Sequence, residues 1–399
     1  LISPLLPAAT HVAWRLSEYL PETLLSGLTR SLPYVLPCCS LRVPVTIFQG
    51  PTFSNDDSGT VLAAGSDPYI RYLPSLFLKQ VVKRESVGVF PLWKLARVVE
   101  ELRGSADLTV ARLDRLSGRL LFGRNSLAVP DWINSWLEVP TDFTAWARAS
   151  KLHAARLKDM SLHVSHERSD LVRFYYEMYV PLIRRRHGDL AYVRSFYQLR
   201  RFFDRGGILW LDYRGERIAG ALFHRSGTVF RSVAHGTASG GWPPVIPGTK
   251  DVLNYFQAQH ARSIGCARID AGGSRPSLHD GVLRYKRKWG MNVAEKPDSH
   301  HDWFVQWHSE NEKVTSFLSR SSLIFRDHGG LSAIAAIDRE DPALEADARR
   351  AHHLLWMPGL QRLYLVAPAG WQRCAAPPPC TVLLDPKSTA RLFHREFRS

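Results

Sequence analysis

Cysteine is scarce in this 399-residue sequence, and long apolar runs are absent. The five cysteines, Cys38, Cys39, Cys266, Cys374 and Cys380, form neither a C-x-x-C pair nor a dense even framework. That pattern argues against a disulfide scaffold and a structural zinc site, and fits a reducing, cytoplasmic setting. The most apolar segment, Leu20 to Phe48, is broken by Pro21, Pro33, Pro37 and Pro44 and by Arg30 and Arg42. It is therefore not read as a membrane span. Residue 1 is Leu, with no basic flank ahead of an apolar core, so no secretion signal is read. Neither a G-x-S-x-G elbow nor a Rossmann glycine string occurs, which removes serine hydrolases and dehydrogenases from consideration.

Acidic residues are also few. Asp and Glu total 37 against 52 Lys and Arg, and the formal charge is +15. Two thirds of that excess lies between residues 166 and 295, where 21 basic residues face 11 acidic ones. Only 11 of the 52 basic residues are Lys, so an Arg-rich coding bias accounts for part of the total but not for the clustering. A polyanionic partner is expected at that segment. With 45% hydrophobic and 22% charged residues, the chain is long and apolar enough for two or three domains.

Along the chain, residues 1–60 read as an irregular lead rich in Pro, Ser and Leu, with a strand at Arg42 to Phe48 and a turn at Ser54 to Gly59. Helices are expected at Pro68 to Lys83, Leu92 to Arg103 and Trp132 to Glu138, with strands at Ser86 to Phe90 and Leu108 to Leu113. A joining helix follows the cap signal Thr141-Asp142-Phe143, then helices at Asp170 to Arg186 and Tyr192 to Arg205. Strands at Ile208 to Tyr213, Arg217 to His224 and Thr228 to His235 are separated by Gly-containing turns, the signature of an antiparallel meander. A Gly- and Pro-rich stretch from Gly236 to Gly248 precedes helix Thr249 to Ser263, strand Ala267 to Ala271, helix Gly281 to Trp289 and strand Met291 to Glu295. Beyond residue 300 come strand Trp303 to Trp307, Leu331 to Asp338, helix Pro342 to Trp356, and strands Leu363 to Ala367 and Thr381 to Leu384.

Four strings carry a family resemblance: Phe174-Tyr175-Tyr176-Glu177-Met178-Tyr179, Arg217-Ile218-Ala219-Gly220-Ala221-Leu222, Arg268-Ile269-Asp270-Ala271-Gly272-Gly273-Ser274, and Tyr285-Lys286-Arg287-Lys288-Trp289-Gly290. With the ααβββαβαβ order they resemble the GNAT acyltransferase fold, in particular its FemAB-like, Fem-type branch. Better-known members of that branch add amino acids from aminoacyl-tRNA to peptidoglycan precursors. The resemblance is good over 141–295, weak over 60–140 and absent beyond. It implies an α/β (α+β) chain of tandem GNAT-like lobes with mixed sheets flanked by helices. The expected division is a lead (1–60), a degenerate first lobe (61–140), a second acyltransferase lobe (141–295) and a C-terminal α/β extension (296–399). One departure stands out. The coenzyme A signature, Arg or Gln followed by x-x-G-x-Gly or Ala, is missing after the third strand of the meander, where the chain reads His235-Gly236-Thr237-Ala238-Ser239-Gly240-Gly241 and then Pro247-Gly248-Thr249-Lys250.

Acyl transfer to an amine needs a grip on the donor, a group for the developing oxyanion and a route for the amine proton. Backbone amides of Gly240, Gly241, Gly248 and Thr249, the helix that follows and Lys250 suit a pyrophosphate or phosphodiester; a surface loop is the plainer alternative. By resemblance the Tyr285-Lys286 pair reaches the donor or the tetrahedral intermediate; the alternative is a solvated basic run. His235 and Glu177 are the candidate bases. Asp270 is a candidate for substrate binding, with a structural hydrogen bond favoured over catalysis because its strand is expected to be buried. Arg184, Arg185 and Arg186 are candidates for a phosphate clamp, or else simply suit a helix C-terminus. Histidine pairs such as His300-His301 lack partners at ligand spacing, so no metal is expected.

The expected activity is N-acyl transfer from acyl-CoA to an amino group on a sugar, amino acid or envelope precursor. The alternatives are an aminoacyl-tRNA-dependent transferase, with tRNA as partner, and a non-catalytic binder of RNA or of an anionic membrane surface, approached peripherally.

Overall fold

The computed structural model describes residues 42–53, 58–65, 74–123, 126–150, 152, 157, 159–188, 193–238, 248–297, 299–308, 312–337, 348–366 and 380–384. It is a mixed α/β protein whose three mixed sheets are flanked by helices. The described residues fall into two compact units. Unit 1 holds Ser135–Gly272 and Lys288–Met291, and unit 2 holds the remainder.

In unit 2 the strands β1 (Arg42–Pro51), β2 (Ser58–Ala64), β3 (Lys83–Pro91), β4 (Leu108–Asp114), β5 (Leu127–Pro130) and β13 (His301–Trp307) form one sheet in the order β3-β1-β2-β4-β13-β5. β13 comes from far along the chain and inserts antiparallel between β4 and β5, with Val305 opposite both Val110 and Leu127. Both faces of this sheet are covered, so four consecutive β13 residues, Asp302 to Val305, are buried. Trp303 and Val305 enter one core while Phe304 enters the other. The first core is shared with a four-stranded sheet, β14-β15-β16-β17, running from Leu323–Asp327 through Gly330–Ala336 and Leu360–Val366 to Thr381–Leu384. The second lies under helices Leu95–Glu101 and Arg115–Phe122.

In unit 1 the order is β6 (Ile133–Glu138), β11 (Arg268–Ser274), β10 (Val229–Thr237), β9 (Glu216–Ser226), β8 (Gly206–Tyr213) and β7 (Met160–Ser165). The expected meander is present: β8, β9 and β10 are sequential antiparallel neighbours. Its first turn has Arg214 at φ 52° and Gly215 at φ 84°, the pair of left-handed residues that a tight two-residue hairpin demands. β7 adds antiparallel to β8, and β11 adds parallel to β10. Helix Arg168–Arg173 continues through a π-helical turn, Phe174–Tyr179, into Val180–His187. Together with helix Phe196–Phe203 it covers one face of the meander, burying Phe174, Leu199, Trp210 and Leu222. Each such large side chain contributes about 1.5–3 kcal/mol through burial.

Two helical expectations fail. Trp132 to Glu138 is strand β6, where buried Ile133 and Ser135 alternate with more exposed neighbours at period two. Within Pro68 to Lys83 the described helical residues are Pro74–Phe77, and Lys83 opens edge strand β3. The joining helix is short, Phe143–Ala149, with Asp142 accepting from the Ala145 amide as the cap signal implies.

Candidate active site

The chemistry-bearing groups of unit 1 gather where β10 and β11 stop pairing. Their parallel ladder runs from Val229–Arg268 to Arg231–Asp270, whereas β10 continues to Thr237. Two local features end the ladder. On the β9 side the β10 register shifts between Ser232 and Ala234, so Val233 is a bulge residue, and its carbonyl accepts from Arg194 Nη1 at 2.7 Å. On β11, Asp270 Oδ1 accepts from the Gly272 amide at 2.9 Å, and Gly272 adopts φ +72°, a conformation glycine enters without penalty.

Strand alternation distributes the side chains between two faces. Gly236 turns toward the π-helical turn; a Cβ there would lie 2.6 Å from Met178 Cβ, so only glycine lets the helix approach this closely. His235 therefore points to the other face, which helix Thr249–Ser263 covers. There its Nε2 lies 3.2 Å from Gln257 Nε2 and 3.3 Å from Ser232 Oγ. Gln257 is 2% exposed, and its Oε1 has no hydrogen-bond partner among the described residues. Asn254, one turn earlier on the same helix face, has a buried Nδ2 in the same condition. Buried amides are normally paired, so the unpaired Gln257 oxygen next to His235 makes this the candidate site.

The other sequence candidates distribute as follows. Glu177 lies on the opposite face from His235, is largely exposed, and pairs with Arg173 at 3.2 Å. Asp270 is partly buried, with Arg231 Nε at 3.6 Å besides the Gly272 amide. Arg231 also faces His224 of β9, so His224, Arg231 and Asp270 lie abreast on three strands. His224 is buried against Phe202, and burial first, then Arg231, pushes its imidazole below the usual histidine range. Arg184 and Arg185 are exposed at the end of helix Val180–His187, and Arg186 is half-buried. Tyr175 from the preceding turn donates to the Arg194 carbonyl, and its phenol is raised chiefly by burial.

Gly248 caps helix Thr249–Ser263 at φ 85°, Thr249 is buried and Lys250 half-buried. Asp251 in the same turn accepts from Lys288 Nζ at 2.9 Å and Trp289 Nε1 at 3.3 Å. Gly240 and Gly241 lie outside the described residues. In unit 2, Tyr285 and Lys286 sit on helix Gly281–Lys288. Lys286 is 4% exposed and donates to the Gly273 carbonyl at 3.1 Å, so it does not belong to a solvated run. Arg287 on that helix is lowered by burial and then by Arg284. Among the described residues there is no group of three or more His, Cys, Asp and Glu placed to hold a metal, and no helix long and apolar enough to cross a membrane.

Sequence reasoning missed Ser232, Asn254, Gln257 and Arg194. A signal existed for Gln257: it interrupts the buried stripe Val252, Leu253, Ala258 and Ala261 with an amide.

No family model matches this chain, and no curated protein matches it. Solved structures similar to it include L-PGS from Bacillus licheniformis, at 12% identity over 69% of this chain and 84% of that one with a TM-score of 0.33. FemX is similar at 12% identity over 69% and 90%, with a TM-score of 0.33. A GCN5-related N-acetyltransferase from Kribbella flavida is similar at 14% identity over 69% and 93%, with a TM-score of 0.26. Values this low leave the functional reading to the residues themselves.

Proposed function

We propose that unit 1 is an N-acyltransferase of GNAT fold, resembling the Fem-type branch, that moves an acyl or aminoacyl group from an activated donor to an amine. The observation that carries this reading is the interrupted β10–β11 ladder with His235, Ser232 and Gln257 beside it. A strand edge released from its neighbour offers main-chain donors and acceptors to an extended ligand. The amide-containing arm of an acyl-CoA is such a ligand, and acyl-CoA is the leading donor.

The amine nitrogen attacks the donor carbonyl carbon, a C–N bond forms, and the C–S bond breaks as thiolate leaves. His235 takes the proton that the amine sheds, and the thiolate is protonated in turn. Phosphates of the donor meet the backbone amides at Gly248 and Thr249 with Lys250, about 12 Å along the helix from Gln257 at 1.5 Å per residue. The acceptor is an amine on a sugar, amino acid or envelope precursor. No metal enters this scheme.

Aminoacyl-tRNA is the second donor reading, favoured by exposed Arg184 and Arg185 within the segment that holds most of the positive charge. Calorimetric titration with coenzyme A, acetyl-CoA and a charged tRNA at about 150 mM salt, where loose attraction is partly screened, separates the two. Saturable binding of coenzyme A supports the leading donor. Binding of tRNA that depends on its aminoacyl end supports the second, and binding of neither refutes the transferase reading.

A further inference from the structure

We infer that Gln257 is a positioning residue that sets the tautomer of His235 and then holds the proton His235 takes up. Its catalytic consequence rests on the transferase reading; its geometry does not.

His235 Nε2 lies within hydrogen-bond distance of Gln257 Nε2 and Ser232 Oγ. An amide nitrogen only donates, so a hydrogen bond from Gln257 makes His235 Nε2 the unprotonated nitrogen and puts the ring proton on Nδ1. The single lone pair of that nitrogen is shared between the amide N–H and the Ser232 hydroxyl, 3.3 Å away. The resting site thus presents a neutral imidazole whose basic atom faces a serine hydroxyl.

The amide's other end explains why glutamine stands here. Gln257 Oε1 is buried without a hydrogen-bond partner among the described residues, an unfavourable condition in a folded protein. A half-turn of the amide about its terminal torsion exchanges the two ends and aims Oε1 at His235 Nε2. That orientation finds no proton at Nε2 of the Nδ1–H tautomer but matches the imidazolium, whose Nε2–H needs an acceptor. The exchange replaces an N–H···N bond with a charge-assisted N–H···O bond, roughly twice as strong.

In the transfer, the attacking amine gives a proton to Ser232 Oγ as the hydroxyl proton passes to His235 Nε2. The amide turns, and Oε1 holds the new Nε2–H. Protonation of the leaving thiolate along the reverse route returns Gln257 to its resting orientation, with no proton gained or lost by the enzyme.

The full chain labelled with ¹⁵N-histidine tests this without any substrate. His235, assigned by its loss in His235→Gln, is expected as the Nδ1–H tautomer at pH above its titration. Gln257→Leu, which keeps the volume and has no N–H, should let the Nε2–H tautomer appear. Gln257→Glu places a carboxylate at Nε2 and should raise the His235 titration midpoint by about one pH unit or more. If Gln257→Glu does not fold, the wild-type and Gln257→Leu spectra still decide. A wild-type ring already in the Nε2–H form, or a tautomer unchanged in Gln257→Leu, overturns the inference. These spectra are read whether or not acyl transfer is detected, so failure here is distinct from failure of the transferase reading. Where transfer is detected, the acid limb of its pH profile should move with the NMR midpoint in Gln257→Glu.

Discussion

Arg194 Nη1 donates to the carbonyl of Val233 at 2.7 Å, tying the loop ahead of helix Phe196–Phe203 to the bulge of β10. A bulge carbonyl turned out of its ladder needs a donor from elsewhere, and here a guanidinium supplies it. The loop is itself held by the Arg194 amide donating to Tyr179 Oη and by Tyr175 Oη donating to the Arg194 carbonyl. Arg194→Ala should therefore cost about 1–3 kcal/mol in denaturant unfolding, since the carbonyl loses its charged donor. Arg194→Lys, which can still reach with one N–H, should lie between Ala and wild type. Equal stability of Ala and wild type would show that the bulge does not depend on this bond.

One buried and four half-buried histidines give stability a direction with pH. His224 is pushed below the ordinary histidine range by burial first and by Arg231 second, and His260, His301, His308 and His352 move the same way with burial again the leading cause. A histidine lowered in the folded state binds its proton more readily when unfolded. Stability is then full above about pH 6.5 and falls as pH drops from there toward the folded midpoint. Each such group contributes a slope of at most about 1.4 kcal/mol per pH unit in that window. Unfolding measured from pH 7.5 to 5 should show this loss, and His224→Gln should flatten part of it. An unchanged slope would mean that His224 is not held neutral.

Much of unit 1 was legible because local chemistry and tertiary structure agree there. The left-handed turn at Arg214-Gly215 and the long amphipathic pattern from Thr249 to Ser263 each specify one answer without distant partners. Strand β6 reads as a helix from sequence because Trp132, Ile133, Trp136 and Leu137 spread apolar groups over both periods, and only its place in the sheet selects the extended form. The seating of β13 between β4 and β5 joins strands nearly two hundred residues apart, and no local pattern records such pairing. For the candidate site, His235 and Asp270 were visible as strand-end polar residues. Glu177 looked equivalent until the alternation of β10, fixed by Gly236 against Met178, placed it across the sheet from His235.

Lys286 poses a choice between packing and chemistry that two substitutions separate. Its side chain is buried and its ammonium donates to the Gly273 carbonyl. Lys286→Ala removes both volume and donor and should destabilise the protein by about 1–3 kcal/mol. Lys286→Met keeps most of the volume, so its denaturant midpoint should stand closer to wild type. If the lysine also serves transfer, turnover should fall at least tenfold in Lys286→Met while the fold survives. Wild-type turnover in that variant would leave Lys286 a structural residue alone.

Asp270 combines a backbone hydrogen bond with an ion pair, and the two have unequal weight. Arg231 is half exposed and 3.6 Å away, so the pair contributes little in water. The bond from the Gly272 amide fixes a left-handed turn at the end of the β10–β11 ladder, and that is where the carboxylate matters. Asp270→Asn keeps the accepting oxygen and should unfold within about 0.5 kcal/mol of wild type. Asp270→Ala loses it and should cost about 1 kcal/mol, with faster amide hydrogen exchange at Gly272 as the local signature. A reversed order, with Asn as damaging as Ala, would assign the weight to charge. Dead transfer in a normally stable Asp270→Asn would show that the carboxylate acts on a substrate rather than on the turn.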